Sequence, residues 1–292
     1  MRPLFKWTGG KSKMFDYYAP NFYPKEDFDT FVDAFCGAGA VSLWIASHYP
    51  NVKFVLNDFN GEIISLYRQL SKDGDEFIRR AIAVQNTFRS YANQEDKKRY
   101  YNELKHRHIE QMDDPMDEAV QLYAMMQVNF NGWWKIYNYS KGRYGTCWGN
   151  LDKRNIVSVR DLKLWSNFLS SRCTLLSGDF EGVVEHITTK SYVYFDPPYR
   201  DSTTVYTEDD FNEDDQIRLC ELSETLSQQG HYVGYSNKET GDGFFQKYLP
   251  NFNHYFFDVN YSAGRGTSYN PASEILATNF NQGVVGLEEF FE

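Results

Sequence analysis

The chain has 292 residues, of which 41% are hydrophobic and 24% are charged, and its formal net charge at pH 7 is −10. It contains no run of about 18 apolar residues that would cross a membrane, and no basic-then-apolar leader, so we expect a soluble, cytoplasmic protein. The four cysteines and six histidines are dispersed along the chain, which predicts neither a disulfide framework nor a metal centre.

The negative charge is confined to the last third of the chain. Residues 1–71 carry equal numbers of basic and acidic side chains, residues 72–163 carry 16 basic and 13 acidic, and residues 164–292 carry 7 and 20. Phosphate contacts require Lys and Arg. The composition therefore argues against general binding of polyanions, but it allows a DNA contact confined to the middle segment.

Short segments rich in β-branched or aromatic residues, ended by Gly, Asp, Asn or Ser, predict seven strands. They lie at 29–35, 53–58, 173–178, 191–196, 231–236, 254–259 and 274–280. Segments with helical periodicity stand between most of them, for example 40–49, 61–70 and 214–230. This alternation predicts an α/β fold with a doubly wound, mostly parallel sheet and a ligand site at the carboxyl ends of the strands.

The alternation stops between about residues 70 and 165. The sequence there is first polar and helical, and then rich in aromatic residues, Gly and Asn over 129–150. We interpret 71–164 as a module inserted into a domain formed by residues 1–70 and 165–292. Within the module, 130–138 and 141–150 predict a hairpin bracketed by aromatic side chains.

A glycine-containing turn, with Gly37 and Gly39, follows the first predicted strand and opens a helix. Glycine lets the backbone approach a ligand, and a helix N-terminus offers free N–H groups. Asp58 ends the next strand, 21 residues after Gly37, a spacing at which an acid accepts hydrogen bonds from ribose hydroxyls. Val41 stands two residues past Gly39 and Ser42 follows it, so the third glycine of a dinucleotide fingerprint is absent and the ligand need not carry a pyrophosphate. S-adenosylmethionine suits this shorter turn.

The strand at 191–196 leads into Asp196-Pro197-Pro198-Tyr199. Two consecutive residues without a backbone N–H cannot extend a sheet. The segment is either a strand ended by a rigid turn, or a site in which the prolines direct a carboxylate, a carbonyl and an aromatic ring toward one planar ligand.

Five segments in order resemble the motifs of the Dam-family (D12 class) N6-adenine DNA methyltransferases, over nearly the whole chain. They are 5–14, 31–41, 56–67, 196–199 and 233–237. The resemblance implies a seven-stranded methyltransferase sheet, S-adenosylmethionine as cofactor with S-adenosylhomocysteine as product, double-stranded DNA as partner, and the cytoplasm of a bacterial or phage-infected cell as location. It also implies that the insertion is the target-recognition domain.

The same resemblance implies roles for individual residues. The implied catalytic residues are Asp196, Pro197, Pro198 and Tyr199. Their acceptors would hold the protons of the adenine amino group while the tyrosine ring stacks on the flipped base. The implied cofactor pocket comprises Trp7, Lys11, Phe35, Gly37, Gly39, Asp58, Asp179 and Phe180. The implied DNA contacts are Phe130, Asn131, Trp133, Lys135 and Arg143.

Several alternatives stay open. Asp179 is also placed to cap a helix, and Trp133, Trp134 and Trp148 are also explained by an aromatic cluster under a loop. Cys147-Trp148-Gly149 replaces the family's usual Pro-Phe-Gly, so the target sequence is open, and Lys135 stands where the family usually has a base-reading Arg. For the function, N4-cytosine methylation and nucleic-acid binding without catalysis remain alternatives. No Pro-Cys dipeptide is present, so the sequence lacks the nucleophile that attacks cytosine C5.

Overall fold

The computed structural model describes residues 1–7, 9–109, 114–130, 132, 136–138, 143–144, 147–149, 156–200, 211–260 and 271–281. Within these ranges the strands are β1 (Thr30–Asp33), β2 (Lys53–Asp58), β3 (Ile136–Asn138), β4 (Arg143–Tyr144), β5 (Cys173–Ser177), β6 (Ser191–Phe195), β7 (Tyr232–Glu239), β8 (Asn253–Asn260) and β9 (Pro271–Thr278). All seven predicted strands are confirmed. β3 and β4 pair antiparallel, which confirms the predicted hairpin.

The helices alternate with the strands outside the middle segment. They are α1 (Phe15–Phe22), α2 (Ala40–His48), α3 (Gly61–Lys72), α4 (Gly74–Ser90), α5 (Gln94–Ile109), α6 (Pro115–Val128), α7 (Val159–Arg172), α8 (Glu213–Gln228) and α9 (Phe244–Tyr248), with 3-10 helices at Lys11–Lys13 and Phe180–His186. The start of α8 is a capping box, in which Asn212 accepts from the backbone N–H groups of Asp214 and Asp215. None of the helices in the described part of the chain is long and apolar enough to cross a membrane.

The seven-stranded sheet has the order β5-β2-β1-β6-β7-β9-β8. The first five strands in this order are parallel, whereas β9 runs antiparallel to both β7 and β8. The connections from β1 lead to β2 on one side and, later, to β6 on the other. The point where the strand order reverses lies between β1 and β6, and doubly wound sheets bind ligands in the crevice at that point.

The helices of the middle segment share a core with the sheet. Phe77, Phe88 and Tyr101 belong to the same apolar cluster as Phe31 and Phe54 on the strands. The predicted domain boundaries, near residues 70 and 165, fall inside α3 and α7. That 71–164 acts as a separate recognition unit stays a prediction.

Candidate active site

The turn after β6 carries a buried ion pair. β6 is buried along its whole length between β1 and β7, so Asp196 emerges from the middle of the sheet. The Lys11 ammonium donates to both oxygens of the Asp196 carboxylate, at 2.6 Å to Oδ1 and 2.7 Å to Oδ2. The side chain of Lys11 is 3% exposed and that of Asp196 is 17% exposed. Lys11, predicted for the cofactor pocket, therefore lies against the predicted catalytic carboxylate.

A chain of hydroxyl groups completes the setting of Asp196. Ser236 Oγ donates to Asp196 Oδ1 at 3.0 Å. Since that bond uses the only hydroxyl hydrogen of Ser236, the Tyr194 hydroxyl donates to Ser236 Oγ, at 2.8 Å. The sequence analysis did not assign a role to Tyr194 or Ser236. Their positions on the neighbouring strands β6 and β7 were the available signal.

Tyr199 lies beside the same ion pair. The Lys11 ammonium is 4.7 Å from the centroid of the Tyr199 ring, which is within the range of a cation–π contact. Burial, with Tyr18, Asp196 and Glu274 nearby, raises the pKa of the Tyr199 hydroxyl well above its ordinary value. Glu274 is itself buried, and the Tyr18 hydroxyl donates to its Oε2 at 2.7 Å. Burial also raises the pKa of Glu274.

The glycine turn after β1 is tied to Asp58 at the end of β2. The backbone N–H of Gly37 donates to Asp58 Oδ2 and that of Asn60 donates to Oδ1, both at 2.8 Å. Each carboxylate oxygen therefore keeps one free acceptor site. Desolvation raises the pKa of Asp58.

Both glycines of this turn are required by the surrounding packing. Gly37 and Gly39 have φ angles of +46° and +72°, in the left-handed region that favours glycine. A Cβ on Gly37 would lie 2.9 Å from Trp7 Cδ1, and one on Gly39 would lie 2.5 Å from Cη2 of Trp165. The predicted pocket residue Trp7 is thus packed on the turn. Trp165, which the sequence analysis did not single out, closes the turn from the other side.

Asp33, the last residue of β1, is a further acid that the sequence analysis did not single out. It is 2% exposed, and Ser42 Oγ donates to its Oδ2 at 2.5 Å. Burial raises the pKa of Asp33 to about 7, although the bond from Ser42 acts in the opposite direction. The position of Asp33 directly before the glycine turn was the available signal.

The remaining predicted pocket residues are Phe35, Asp179 and Phe180, and the two phenylalanines form an aromatic wall. The rings of Phe35 and Phe180 have centroids 5.9 Å apart. Asp179 caps the 3-10 helix by accepting from the backbone N–H of Glu181, so the cap alternative is confirmed. Arg218 also donates to both Asp179 oxygens at 3.0 Å, which leaves one acceptor site, on Oδ2. A cleft of about 510 Å³ opens beside this cap and is lined by Asp179 and Arg218, but by neither of the two rings.

Two of the predicted DNA contacts, Phe130 and Arg143, belong to the described residues. The Phe130 side chain is 52% exposed, and the Phe130 backbone N–H donates to the Cys147 carbonyl at 2.8 Å. Arg143 lies on β4. Trp148 stacks on Phe88 with ring centroids 5.9 Å apart, so the aromatic-cluster alternative holds for this tryptophan. Asn131, Trp133 and Lys135 lie outside the described residues.

The chemistry at the strand ends is that of charge and hydrogen bonding. Asp196 is a partly exposed carboxylate that accepts three hydrogen bonds, two from Lys11 and one from Ser236, next to an aromatic ring. Asp58 is a second carboxylate, with free acceptor sites, beside a glycine turn. In the part of the chain that the structure describes, no three His, Cys, Asp or Glu side chains are grouped so as to hold a metal ion.

Comparison with known proteins identifies relatives over most of the chain. The family described as D12 class N6 adenine-specific DNA methyltransferase matches residues 7–262. The type II methyltransferase M.MjaIII of Methanocaldococcus jannaschii is 30% identical over 263 residues, covering 87% of this chain and 89% of its own. The type II methyltransferase M1.LlaDCHI of Lactococcus lactis is 29% identical over 290 residues and 96% of each chain. The DNA adenine methylase of Haemophilus influenzae is 25% identical over 233 residues, 78% of this chain and 76% of its own.

Proposed function

Since the chain belongs to the D12 class of N6 adenine-specific DNA methyltransferases, we propose that its methyl donor is S-adenosylmethionine and that it acts on an adenine flipped out of double-stranded DNA. Membership of this family supports the predicted N6-adenine methylation over the alternative, N4-cytosine methylation. It also identifies the chain as an enzyme. The observation that carries the finer proposal is the Asp196 carboxylate, held by Lys11 and Ser236 beside the Tyr199 ring.

We assign one oxygen of Asp196 to the substrate. An adenine amino group is a poor nucleophile because its lone pair is delocalised into the ring, and acceptors that hold its protons let the nitrogen pyramidalise. Among the residues that the structure describes, Lys11 and Ser236 donate to Oδ1 of Asp196, whereas Lys11 alone donates to Oδ2. The free acceptor site on Oδ2 would take one amino proton, and the Pro197 carbonyl would take the other.

Lys11 gives Asp196 its charge balance in this role. A carboxylate that leaves water is costly unless a counter-charge compensates it, and the nearly fully buried ammonium bonded to both oxygens supplies that counter-charge. Because Ser236, itself bonded to Tyr194, holds the same carboxylate from the sheet, Asp196 need not reorganise when the base arrives. Preorganised groups of this kind lower the barrier to reaction.

The glycine turn fits the adenosine part of the donor. The two oxygens of Asp58 each keep one acceptor site, which matches the two hydroxyl donors of a ribose. Trp7 supplies apolar surface at the turn, and Phe35 and Phe180 supply it as the aromatic wall. When bound, S-adenosylmethionine supplies a methyl group on a positively charged sulfur. The chain contributes the positions of the two carboxylates, at the carboxyl ends of the two strands that flank β1, and positioning accounts for much of the rate of such transfers.

We assign DNA recognition to residues 71–164. Residues 72–163 carry 16 basic and 13 acidic side chains, a net positive charge. Within the segment, Phe130 presents an exposed ring. The other proposed DNA contacts come from the sequence analysis and are Asn131, Trp133, Lys135 and Arg143. An aromatic side chain and amide groups of this kind suit a role in filling the space left by a flipped base, while Lys135 would contact a guanine edge.

The proposal is tested by methyl transfer and analysis of the product. The protein is incubated with tritium-labelled S-adenosylmethionine and unmethylated duplex DNA, and the DNA is then digested to nucleosides. Label is expected in N6-methyladenine for the wild type, with little in an Asp196→Ala control. Transfer only to single-stranded DNA, or no transfer from this donor, would contradict the finer proposal.

A further inference from the structure

The turn after Asp196 contains two consecutive prolines. Neither Pro197 nor Pro198 has a backbone N–H, so the peptide groups around Tyr199 depend on partners from elsewhere in the fold. Two buried amide side chains provide them. Gln216 Nε2 donates to the Pro198 carbonyl at 2.8 Å, and Asn237 Oδ1 accepts from the backbone N–H of Arg200 at 3.0 Å. These are the peptide groups on either side of Tyr199.

The two amides are joined to each other and to the sheet. Asn237 Nδ2 donates to Gln216 Oε1 at 3.0 Å, and the Tyr235 hydroxyl donates to the same oxygen at 2.7 Å. Asn237 Oδ1 also accepts from the backbone N–H of Lys238 at 2.8 Å. Gln216 and Asn237 are 2% and 0% exposed, so water does not compete for these bonds.

The bonding pattern allows one orientation of the Gln216 amide. Its oxygen receives two donors and its nitrogen faces a carbonyl, so a flipped amide would point a donor at two donors and an oxygen at an oxygen. Gln216 lies in the first turns of α8 and Asn237 on β7. The amide pair therefore connects the turn to two elements packed in the core, and the backbone geometry of Tyr199 follows from theirs.

We propose that Gln216 is a positioning residue for the methyl-transfer reaction, which acts with Asn237 by clamping both peptide groups that flank Tyr199 and so holding its ring for the target base. The proposal rests on the proposed role of Tyr199 in stacking on that base. A ring direction is set by the backbone dihedrals of its residue as well as by its own rotamer. Loss of the clamp would change how the base is held without touching the glycine turn that faces the cofactor.

The first experiment compares Gln216→Ala and Gln216→Met with Asn279→Ala. Met keeps the length of the side chain but has no amide donor. Asn279 is a matched control outside the proposed sites, because its amide makes bonds of the same kind. Its Nδ2 donates to the His231 carbonyl and its Oδ1 accepts from the backbone N–H of Val233, both at 2.8 Å. Methylation of unmethylated genomic DNA gives kcat and KM, calorimetry with S-adenosylhomocysteine gives cofactor affinity, and thermal unfolding gives Tm.

Both Gln216 variants are expected to lower kcat by about tenfold or more, while cofactor affinity changes by less than about twofold. Asn279→Ala is expected to lower Tm with kcat near that of the wild type. A Gln216→Met enzyme with the kcat of Asn279→Ala would overturn the proposal, because a purely structural bond predicts equal effects.

The second experiment asks whether Gln216 acts through Tyr199. Gln216→Met is combined with Tyr199→Ala, and the double variant is expected to have nearly the kcat of Tyr199→Ala alone, since the clamp has no ring left to hold. Independent, multiplicative losses would overturn the inference. A Tyr199→Ala enzyme with wild-type kcat would instead reject the proposed function of Tyr199, so the two failures are distinguishable.

Discussion

The ammonium of Lys11 bonds both carboxylate oxygens of Asp196, 185 positions further along the chain. The contact joins the N-terminal 3-10 helix to the end of the central strand β6. Because the Lys11 side chain is almost fully buried, removal of either partner leaves the other charge without compensation in a poorly hydrated site.

We predict that Lys11→Met and Asp196→Asn each destabilise the protein, and that the double variant is more stable than the sum of the two losses implies. The expected coupling is about 1–3 kcal/mol from urea unfolding of the four proteins. The exposed pair Lys190 and Glu26 is the control, and its coupling is expected to be much smaller than that of the buried pair because solvent screens exposed charges. Equal couplings in the two cycles would show that burial contributes nothing to the site pair.

Asp196→Ala is expected to abolish methyl transfer, because it removes the acceptor proposed for the adenine amino group while leaving the core volume unchanged. The measurement is kcat with saturating DNA and cofactor, after circular dichroism has verified the fold. Asp258→Ala, which changes an exposed acid on β8, is the control. Retention of more than about a tenth of the wild-type kcat, a loss below about 1.4 kcal/mol, would rule out the assigned role.

Asp58→Ala is expected to weaken binding of S-adenosylhomocysteine by about tenfold or more, because it removes the proposed ribose acceptor and frees the Gly37 N–H. Affinity for DNA should change little. Asp73→Ala is a matched control, since Asp73 caps α4 through the backbone N–H of Glu76 and lies outside the turn. Calorimetry measures the affinity of each variant for S-adenosylhomocysteine. Unchanged affinity for Asp58→Ala would reject Asp58 as the ribose acceptor.

A pair of glycine substitutions tests the packing of the turn. Gly39→Ala combines a positive φ with a Cβ 2.5 Å from the Trp165 ring, and we expect a loss of about 1–3 kcal/mol in the free energy of unfolding. Gly182→Ala has nothing within 4 Å of the new Cβ, and a change within about 0.5 kcal/mol is expected. Denaturant unfolding of both variants measures the difference, and similar values would contradict the close approach of Trp165.

The buried carboxyl of Asp33 makes stability depend on pH with the reverse of the usual sign for an acid. Its pKa is raised by burial to about 7 in the folded protein, from an ordinary value of 3.8. Below the ordinary value the group is protonated in both states. As pH rises toward 7, the unfolded chain loses this proton first, so the folded state loses stability, and the full penalty is present above about pH 7.

Asp33→Asn removes this titration and keeps an oxygen that accepts from Ser42. We therefore expect the variant to gain stability relative to the wild type as pH is raised from about 4 to about 8. Urea unfolding across this range measures the difference, and Asp29→Asn, at an exposed acid just before β1, provides the baseline. A stability difference that stays constant with pH would place the Asp33 pKa near its ordinary value.

The elements of this fold were readable from local pattern. Strands such as β2 and β6 are short apolar runs ended by Asp58 and Asp196, and alternation with helices was sufficient to place both acids at the carboxyl edge of one sheet. The glycine turn at Gly37 was also predicted, because turns depend on residues a few positions apart.

The tertiary structure decided which side chains meet. The pairing of Lys11 with Asp196, the hydroxyl chain through Ser236, and the approach of Trp165 to Gly39 all join residues that are distant in sequence. Such contacts depend on strand order and register, since a one-residue shift in a strand turns its side chains to the other face. Periodicity determines which face of a strand is apolar, but it does not determine which strand lies beside it. The sequence alone therefore identified the two carboxylates, whereas the side-chain donors that hold Asp196 followed only from the folded chain, Ser236 from the neighbouring strand β7 and Lys11 from the N-terminal 3-10 helix.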